Sequence, residues 1–371
     1  MSISMYIAAL ALIIALFGLY LFFFLRRAGR FYLQGVKSAY ITLGALLLAA
    51  IFAITAVTSR GLLLLFVLSV IGFGLITDLI NLIIKTLSKA VHKSPAFWQK
   101  LYRCGLIPVL VTVITMTAGY FNMISIRRTD YTVDTAKLRQ DYRIALITDL
   151  HFGTTMDAEK LQKIAEEISE SSPDLVILGG DIVDESTTKE KMQAAFQALG
   201  SITNQYGCFY IYGNHDIQTY ASEKYFTGAE LRQAIESAGI TILEDELYPV
   251  NNELLLIGRN DFSRSRGQRK SIEELTAGMS EDLFRLVLDH QPRDTEACST
   301  AGCDLQLSGH THNGQIWPAG YISSRVNDFL YGQNTLNGYQ VIVSSGIAGW
   351  GFPVRTEGHS EWVMVTLHAQ P

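Results

Sequence analysis

Histidine, aspartate and asparagine side chains follow several apolar runs of this sequence at similar positions. His310 and His312, for example, stand two residues apart, directly after an apolar run and a glycine. Five of the eight histidines occupy such positions. The candidate residues are Asp149, His151, Asp181, Asp184, Asn214, His215, Asp216, His290, His310 and His312. Imidazole, carboxylate and amide oxygen ligands suit manganese, zinc or iron, so these residues favour divalent-metal chemistry.

From residue 142 onward the chain alternates short apolar runs with amphipathic segments. Leu161, Ile164, Ala165 and Ile168 recur at helical spacing after Asp157, a residue type that favours a helix N-cap. Helices alternating with apolar strands, followed by a strand-rich second half, predict an α/β sandwich. The strand candidates are 142–148, 174–180, 207–213, 253–258, 283–289, 304–309, 339–345 and 362–367.

The polar residues at the ends of these runs are expected to converge, because ligand sites in open α/β sheets form beyond the carboxyl ends of strands. A single histidine at a strand end is usually structural, but five of eight at equivalent positions favour one shared site. Two metal ions about 3.5–4 Å apart need a bridging carboxylate and roughly three further protein ligands each. The number of candidate residues matches that requirement.

Five short motifs give the sequence a family resemblance. In order along the chain they are DLH (149–151), GDIVD (180–184), GNHD (213–216), the single His290 and GHTH (309–312). Together they resemble the motifs of the calcineurin-like metallophosphoesterase superfamily over about residues 140–370. The segments DLQLSGHTHNGQIWP and SSGIAGWGFPVR are most similar to a bacterial branch of membrane-associated phosphoesterases that resemble YkuE and YaeI. Many relatives have GHTHGGQ, whereas this chain has Asn313. The resemblance implies two mixed β-sheets flanked by helices.

The resemblance also implies a role for each motif residue. Two divalent metal ions are expected, with manganese favoured and zinc or iron as alternatives. The first metal would bind Asp149, His151, Asp181 and His312, and the second would bind Asp181, Asn214, His290 and His310, so that Asp181 bridges. His215 would be the general acid for the leaving oxygen. Asp184 would hold the His215 ring and favour its cationic form, whereas Asp216 is expected to be structural.

The implied reaction is hydrolysis of a phosphodiester or pyrophosphate bond by a metal-bridged hydroxide. A lipid-linked substrate fits a site that the chain tethers near a bilayer. One alternative is a phosphomonoesterase that acts on small molecules or proteins. Another is a non-catalytic membrane sensor or scaffold, although that hypothesis predicts missing ligands, and every motif residue is present. The sequence leaves the physiological substrate and the oligomeric state open.

The first 128 residues predict a helical membrane domain, and residues 129–371 form the predicted phosphoesterase domain. A bilayer-spanning helix needs about 20 apolar residues. Four stretches meet this requirement: about 4–25, 41–59, 62–84 and 105–124. Asp78 is the only acidic residue in this part. We expect it near the cytoplasmic end of its helix, where its energetic cost is small, although an intramembrane functional role is an alternative.

Basic residues in the short loops predict the orientation in the cell membrane. Arg26, Arg27, Arg30 and Lys37 follow the first span, and Lys85, Lys89, Lys93, Lys100 and Arg103 lie between the third and fourth, whereas only Arg60 lies between the second and third. The positive-inside rule places both basic loops in the cytoplasm and the catalytic domain outside. Arg127 and Arg128 argue weakly for the reverse.

The charge distribution and the cysteines limit the partners and the chemistry further. Residues 1–128 carry a net charge of +11 and residues 129–371 carry −16. A domain at −16 repels polyanions, so no nucleic-acid partner is expected. The expected partners are the lipid bilayer and a phosphorylated small molecule or lipid. The four cysteines lack metal-ligand spacing and are expected to be unpaired thiols, with a disulfide between Cys298 and Cys303 as the alternative.

Overall fold

A computed structural model describes residues 3–59, 61–90, 92, 95–153, 155–265 and 267–370 of the chain. Two of the basic residues used to predict the orientation, Arg60 and Lys93, lie outside the described residues. The chain divides into two compact units, Met1–Ala118 and Gly119–Pro371. Each unit is built on its own hydrophobic side chains.

The first unit consists of apolar helices. They are α1 (Ile3–Tyr32), α2 (Ser38–Ser59), α3 (Leu62–Ala90), α4 (Ala96–Cys104) and the first part of α5 (Leu106–Ile124). In the part of the chain that the structure describes, four helical stretches are long and apolar enough to cross a membrane: Ala11–Tyr32, Ser38–Ser59, Leu62–Ala90 and Leu106–Ile124. The prediction of four apolar helices is confirmed. The first and third helices extend beyond their predicted ends.

Asp78 in α3 lies within a group of hydrogen-bond donors. Its carboxylate accepts hydrogen bonds from Arg27 Nη1 at 2.7 Å, from Tyr102 Oη at 2.8 Å and from Tyr20 Oη at 3.0 Å. A buried charge is costly unless it is paired and hydrogen-bonded. These contacts therefore explain how an apolar helix accommodates its single acidic residue, and they connect α1, α3 and α4.

The second unit contains two six-stranded mixed sheets. The strands are β1 (Arg127–Thr135), β2 (Tyr142–Ile147), β3 (Leu175–Leu178), β4 (Cys208–Tyr210), β5 (Ile240–Ile242), β6 (Glu246–Pro249), β7 (Leu254–Gly258), β8 (Phe284–Leu288), β9 (Leu305–Ser308), β10 (Gly332–Leu336), β11 (Tyr339–Val343) and β12 (Glu361–Ala369). One sheet has the order β1-β12-β2-β3-β4-β5 and the other β10-β11-β9-β8-β7-β6. Strands β2 to β5 are parallel to one another, as are β7, β8, β9 and β11.

The second unit has seven helices of its own among the described residues. They are α6 (Ala158–Glu170), α7 (Lys189–Gly200), α8 (Gly228–Ser237), α9 (Phe262–Ser265), α10 (Ile272–Thr276), α11 (Thr295–Thr300) and α12 (Ala319–Ser323), and a short 3-10 turn spans His312–Gly314. Helices α6, α7 and α8 pack on one sheet and α10 and α11 on the other. The predicted N-cap is present, because the Asp157 side chain accepts a hydrogen bond from the Lys160 amide at the start of α6. The mixed α/β fold with two sheets is confirmed.

Successive side chains of the central strands point to opposite faces of the sheet, and each face packs into a different hydrophobic core. In β2, Ile144 and Leu146 join the hydrophobic core between the two sheets, whereas Ala145 and Ile147 pack into the core beneath the helices. Parallel strands that are buried on both faces have continuous apolar sequences. Seven of the eight apolar runs selected from the sequence correspond to such strands, and the eighth, 362–367, is β12, which pairs antiparallel with β2. The ends of β2, β3, β4, β8 and β9 then carry the polar residues.

The second unit begins inside the last apolar helix, ten residues before the change in composition at 128. The Gly119 carbonyl accepts a hydrogen bond from the Arg355 amide at 2.9 Å, and the Asn122 carbonyl accepts one from the Ser360 amide at 3.2 Å. The segment after α5 forms β1 and pairs in parallel with β12. The end of α5 is thus anchored to the loop that precedes β12.

Candidate metal centre

Five strand ends bring the predicted ligands together in two clusters. Asp149, His151 and His312 form the first cluster, and Asp181, His290 and His310 form the second. Within each cluster, one ligand atom from every residue lies within 4.8 Å of the others. The residues follow β2, β3, β8 and β9, and Asn214 follows β4. The predicted ligands therefore converge beyond the carboxyl ends of these strands.

Two imidazole nitrogens face each other in the first cluster. His151 Nε2 lies 3.3 Å from His312 Nε2, and His312 Nε2 lies 3.6 Å from Asp149 Oδ1. Asp149 and His151 are buried, and His312 is nearly so. Two imidazole nitrogens that face each other beside a carboxylate form a donor set that a divalent cation fits.

The second cluster has an acceptor nitrogen fixed in position by the backbone. His290 Nδ1 lies 2.8 Å from the Gly179 carbonyl, so this nitrogen donates its proton there and Nε2 is left for a metal ion. His290 Nε2 is 3.1 Å from Asp181 Oδ2. His290 Nε2 and Asn214 Oδ1 are buried without a hydrogen-bond partner among the described residues. Buried unpaired acceptors are rare, and a bound cation would satisfy both of them.

Asp181 lies between the two clusters. Its Oδ2 is 3.1 Å from His290 Nε2 in the second cluster and 3.9 Å from His151 Nε2 in the first. Its Oδ1 accepts a hydrogen bond from the His215 amide at 2.8 Å. This is the position that a carboxylate shared by two metal ions requires.

Asp216 connects the loops after β3 and β4. Its carboxylate accepts hydrogen bonds from the backbone amides of Asp181, Ile182, Val183 and Gly213. No other acidic side chain of the motifs accepts as many backbone hydrogen bonds. The structural role expected for Asp216 is therefore consistent with its contacts.

The ligand loops have unusual backbone conformations. Asp149, His151, Asp181, His310 and His312 all have positive φ, between 42° and 70°. Non-glycine residues rarely adopt this region, and such outliers cluster at functional sites. Gly213, which precedes Asn214, is also constrained, because a Cβ added there would lie 2.2 Å from Asp181 Oδ1. The chain folds tightly to bring the ligands together.

The pKa values in the clusters follow from burial and the neighbouring charges. Burial lowers the pKa of His310 to about 4 and that of His312 to about 3, so both are neutral near pH 7. Burial opposes ionisation of Asp181, but the neighbouring His290, His151 and His215 lower its pKa below the ordinary value. Burial opposes the charge of His290, but the neighbouring Asp181 and Asp149 raise its pKa well above the ordinary value. Neutral His310 and His312 and ionised Asp181 are the protonation states that metal binding needs, and at His290 a metal ion would replace the Nε2 proton.

His215 has a different carboxylate partner from the one expected. His215 Nδ1 lies 2.8 Å from Glu185 Oε2, whereas Asp184 Oδ2 lies 3.5 Å from His151 Nδ1. Burial by itself lowers the pKa of His215, but the hydrogen bond to Glu185 and the charges of Asp181 and Glu185 raise it above the ordinary value. The expected pairing of Asp184 with His215 is thus replaced by Glu185, because the loop after β3 turns Asp184 back toward the ligand His151.

Aromatic side chains enclose the His215 ring. Its centroid lies 5.0 Å from that of Tyr220 and 5.3 Å from that of Trp350. Tyr220 and Trp350 are both partly exposed. They leave His215 at the edge of the centre, where a substrate would have access.

Motif reasoning does not identify three supporting residues. Glu185 directly follows the GDIVD motif, and Arg355 lies in the SSGIAGWGFPVR segment. Buried Arg355 donates hydrogen bonds to the carbonyls of His312, Ser345 and Ala348 at 2.7–2.9 Å. Asp261 is buried in the loop after β7, where it accepts hydrogen bonds from Gln291 and from the Arg264 amide. The rule that strand ends carry polar residues identifies Asp261 when it is also applied to β7.

The comparisons with known proteins agree with this geometry. Residues 142–314 match the family model described as calcineurin-like phosphoesterase. Residues 142–314 therefore carry the features of a calcineurin-like phosphoesterase domain. The resemblance of its five motifs to that superfamily is therefore confirmed, and the matched residues contain all seven candidate metal ligands.

Three relatives illustrate the range of similar chains. An uncharacterized metallophosphoesterase of Helicobacter pylori is 30% identical over 236 residues, which are 62% of this chain and 61% of that protein. The metallophosphoesterase YkuE of Bacillus subtilis is 26% identical over 213 residues, which are 54% of this chain and 69% of that protein. A transmembrane protein with metallophosphoesterase domain from Danio rerio is 26% identical over 305 residues, which are 78% of this chain and 68% of that protein.

The extent of these matches has two consequences. The match to the Danio rerio protein covers more of the chain than the whole second unit, so it extends into the apolar helices. The match to the Helicobacter pylori protein spans less than two thirds of that relative's length. The comparisons therefore identify the domain that residues 142–314 form, whereas activity and substrate are matters of proposal.

Proposed function

We propose that the protein is a metal-dependent phosphoester hydrolase with two divalent metal ions, acting on phosphodiester or pyrophosphate bonds. The observation that carries this proposal is the position of Asp181, with one oxygen within 3.9 Å of histidine nitrogens from both ligand clusters. Two-metal centres of this kind suit in-line displacement at phosphorus, where both the attacking and the leaving oxygen need stabilisation. All seven candidate ligands contribute to this one centre.

The residues of the centre divide into holding and proton-donating groups. One metal would be held by Asp149, His151, His312 and Asp181, and the other by Asp181, Asn214, His290 and His310. Bound divalent cations supply Lewis-acid chemistry: they polarise phosphoryl oxygens and acidify water. Manganese is the favoured ion, with zinc or iron as alternatives.

His215 is proposed to donate a proton from Nε2 to the leaving oxygen. Glu185 holds the opposite nitrogen, Nδ1, and thereby fixes the ring orientation and favours the cation. In this proposal Glu185 takes the role that the family resemblance gives to Asp184. Asp184 instead positions the ligand His151.

A lipid-linked substrate is the finer part of the proposal. A mostly apolar groove of about 580 Å³ runs beside the ligand loop after β2. Its lining includes Phe152 and Met156, which follow the ligand His151, and Tyr120 and Ile124 from the end of α5. An acyl chain fits such a groove while its phosphate reaches the adjacent metal centre.

The membrane placement is proposed from the charge of the loops. The four apolar helices would cross the cell membrane, with their basic loops in the cytoplasm. The catalytic unit would then lie on the extracytoplasmic side. Its net negative charge argues against a nucleic-acid substrate there.

The activity is tested with the full chain in detergent after removal of metal. We expect hydrolysis of bis-(p-nitrophenyl) phosphate to return with added Mn²⁺ and to exceed hydrolysis of p-nitrophenyl phosphate. Asp181→Asn should reduce it by about 100-fold or more, because a shared ligand is lost. Asp141→Asn is the matched control, since exposed Asp141 bonds, among the described residues, to Ala369 and His368. A preference for the monoester would favour a phosphomonoesterase, and a folded chain with no turnover would favour a non-catalytic sensor.

The lipid-linked substrate needs a separate test. Ala194 lines the groove, and Ala194→Gln would fill part of it. We expect this variant to lose kcat/KM for a diester that carries an acyl chain while keeping its activity toward bis-(p-nitrophenyl) phosphate. Equal effects on both diesters would contradict binding of an acyl chain in the groove.

A further inference from the structure

Four large apolar side chains stand exposed together just after the GHTH motif. Trp317, Tyr321, Ile322 and Val326 are 62%, 68%, 68% and 61% exposed. They belong to α12 and its flanking residues, and we call these four side chains the apolar patch. Scattered surface hydrophobic residues are normal, whereas several on one short segment mark an interaction site.

The backbone beneath the patch is anchored while its side chains face outward. The Trp317 amide donates a hydrogen bond to Thr356 Oγ1 at 2.9 Å, and the Gly320 amide donates one to Glu357 Oε2 at 3.0 Å. The segment is therefore tied to the neighbouring loop, residues 353–357. Its exposed side chains therefore project from a backbone segment that these hydrogen bonds hold in place.

The same loop holds the end of a candidate membrane span. The Arg355 amide donates to the Gly119 carbonyl at 2.9 Å, and Asn122 Nδ2 donates to the Arg355 carbonyl at 3.4 Å. Gly119 and Asn122 lie in the last turns of α5, where Tyr120 and Phe121 are also exposed. The patch and the end of α5 thus attach to one loop, which places the patch near the point where the chain would leave a bilayer.

The composition of the segment suits a lipid surface. Residues 315–327 contain no acidic side chain, although the surrounding unit is strongly acidic. The single basic residue, Arg325, lies over the Tyr321 ring at 4.7 Å and donates a hydrogen bond to its hydroxyl at 2.6 Å. Tryptophan, tyrosine and arginine are residue types that occupy the headgroup region of membranes.

We propose that the apolar patch is a second membrane contact, inserted into the interfacial layer of the bilayer beside the end of α5. Its partner is the lipid surface itself, with Arg325 toward the phosphate groups. Because α12 follows the His312–Gly314 turn closely, this contact would hold the rim of the metal centre at the membrane surface. The proposal goes beyond the hydrolytic function and does not depend on it.

The test uses spin labels on the full chain in lipid nanodiscs that contain phosphatidylcholine and phosphatidylglycerol. All four native cysteines are buried, so a cysteine introduced at an exposed position can be labelled selectively. A nitroxide at Ile322→Cys should relax faster with oxygen, which concentrates in lipid, than with a water-soluble nickel chelate. A nitroxide at Ser237→Cys, an exposed position at the end of α8, is the matched control and should respond mainly to the nickel chelate.

The outcomes separate the possible occupants of the patch. Greater access of oxygen than of nickel at position 322 but not at 237 supports the bilayer contact, and Val326→Cys should repeat it independently. A label at 322 that responds to nickel as strongly as the control overturns it. Protection from both reagents, with dipolar broadening between two labelled chains, would overturn it in favour of a contact between copies. None of these readouts requires enzymatic activity, so failure of this proposal is distinguishable from failure of the proposed hydrolysis.

Discussion

Replacement of Glu185 by glutamine removes a negative charge beside His215 but keeps a hydrogen-bond acceptor. The contact concerned is the 2.8 Å separation between Glu185 Oε2 and His215 Nδ1. A hydrogen bond to an ionised partner contributes about 1.5–3 kcal/mol, against about 0.5–1.5 kcal/mol for a neutral one. Cationic His215 would therefore lose about 1–1.5 kcal/mol of stabilisation, which corresponds to roughly a 5- to 12-fold loss in rate when it donates the proton.

The assay compares two phosphodiesters that differ in their leaving group. An alkoxide needs a proton to leave, whereas p-nitrophenolate leaves without one, so the loss in kcat should be confined to the alkyl diester. Because the Glu185 charge raises the pKa of His215, its removal should also move the basic limb of the kcat profile to lower pH.

Asp184→Asn is the informative control. Asp184 contacts His151 rather than His215, so this variant should raise the Mn²⁺ concentration needed for half-maximal activity without dependence on the leaving group. Equal losses on both diesters for Glu185→Gln would refute the positioning role of Glu185. Leaving-group dependence in Asp184→Asn instead would restore Asp184 as the partner of His215.

Three further predictions concern the support of the centre. Arg355→Met should lower the melting temperature of the full chain by roughly 6–20 °C. Three buried carbonyls lose their hydrogen-bond donor, at a net cost of about 3–5 kcal/mol. A shift under 2 °C would contradict this. Gly213→Ala should abolish Mn²⁺ binding measured by calorimetry, because its Cβ would meet Asp181, whereas Gly228→Ala, in open space, should not. In metal-free protein, the free energy of unfolding should fall as pH decreases from about 6.5, because unfolded His312 gains a proton that folded His312 gains only near a pKa of about 3. The melting temperature of His312→Gln should therefore depend less steeply on pH. An unchanged slope would contradict the pKa shift.

Periodicity and motif order were sufficient to predict the interior of the fold. The parallel strands that carry the ligands are buried on both faces, so their apolar runs stand out in the sequence. β5 and β6 are only three and four residues long, and β1 and β10 are half-exposed strands at sheet edges. Such strands have no continuous apolar run, and their pairing depends on contacts made by distant segments.

Details of the centre depend on loop conformation, which the sequence pattern does not encode. Asp184 and Glu185 are adjacent acidic residues, and only the path of the loop decides which one contacts His215. Likewise, the positive φ values of Asp149 and Asp181 arise from surrounding contacts rather than from residue preference. Arg355 lies more than 40 residues after the histidine whose carbonyl it binds, so no local pattern reveals its role.

The most direct test of the dinuclear centre is Mn²⁺ titration of the metal-free full chain, followed by electron paramagnetic resonance. Two ions that share Asp181 should be close enough for their spins to couple, so we expect a coupled multiline spectrum that saturates at two Mn²⁺ per chain. Asp181→Asn should lose the coupling. Saturation at one ion, or two ions that give only uncoupled spectra in the wild-type chain, would contradict a shared two-metal centre.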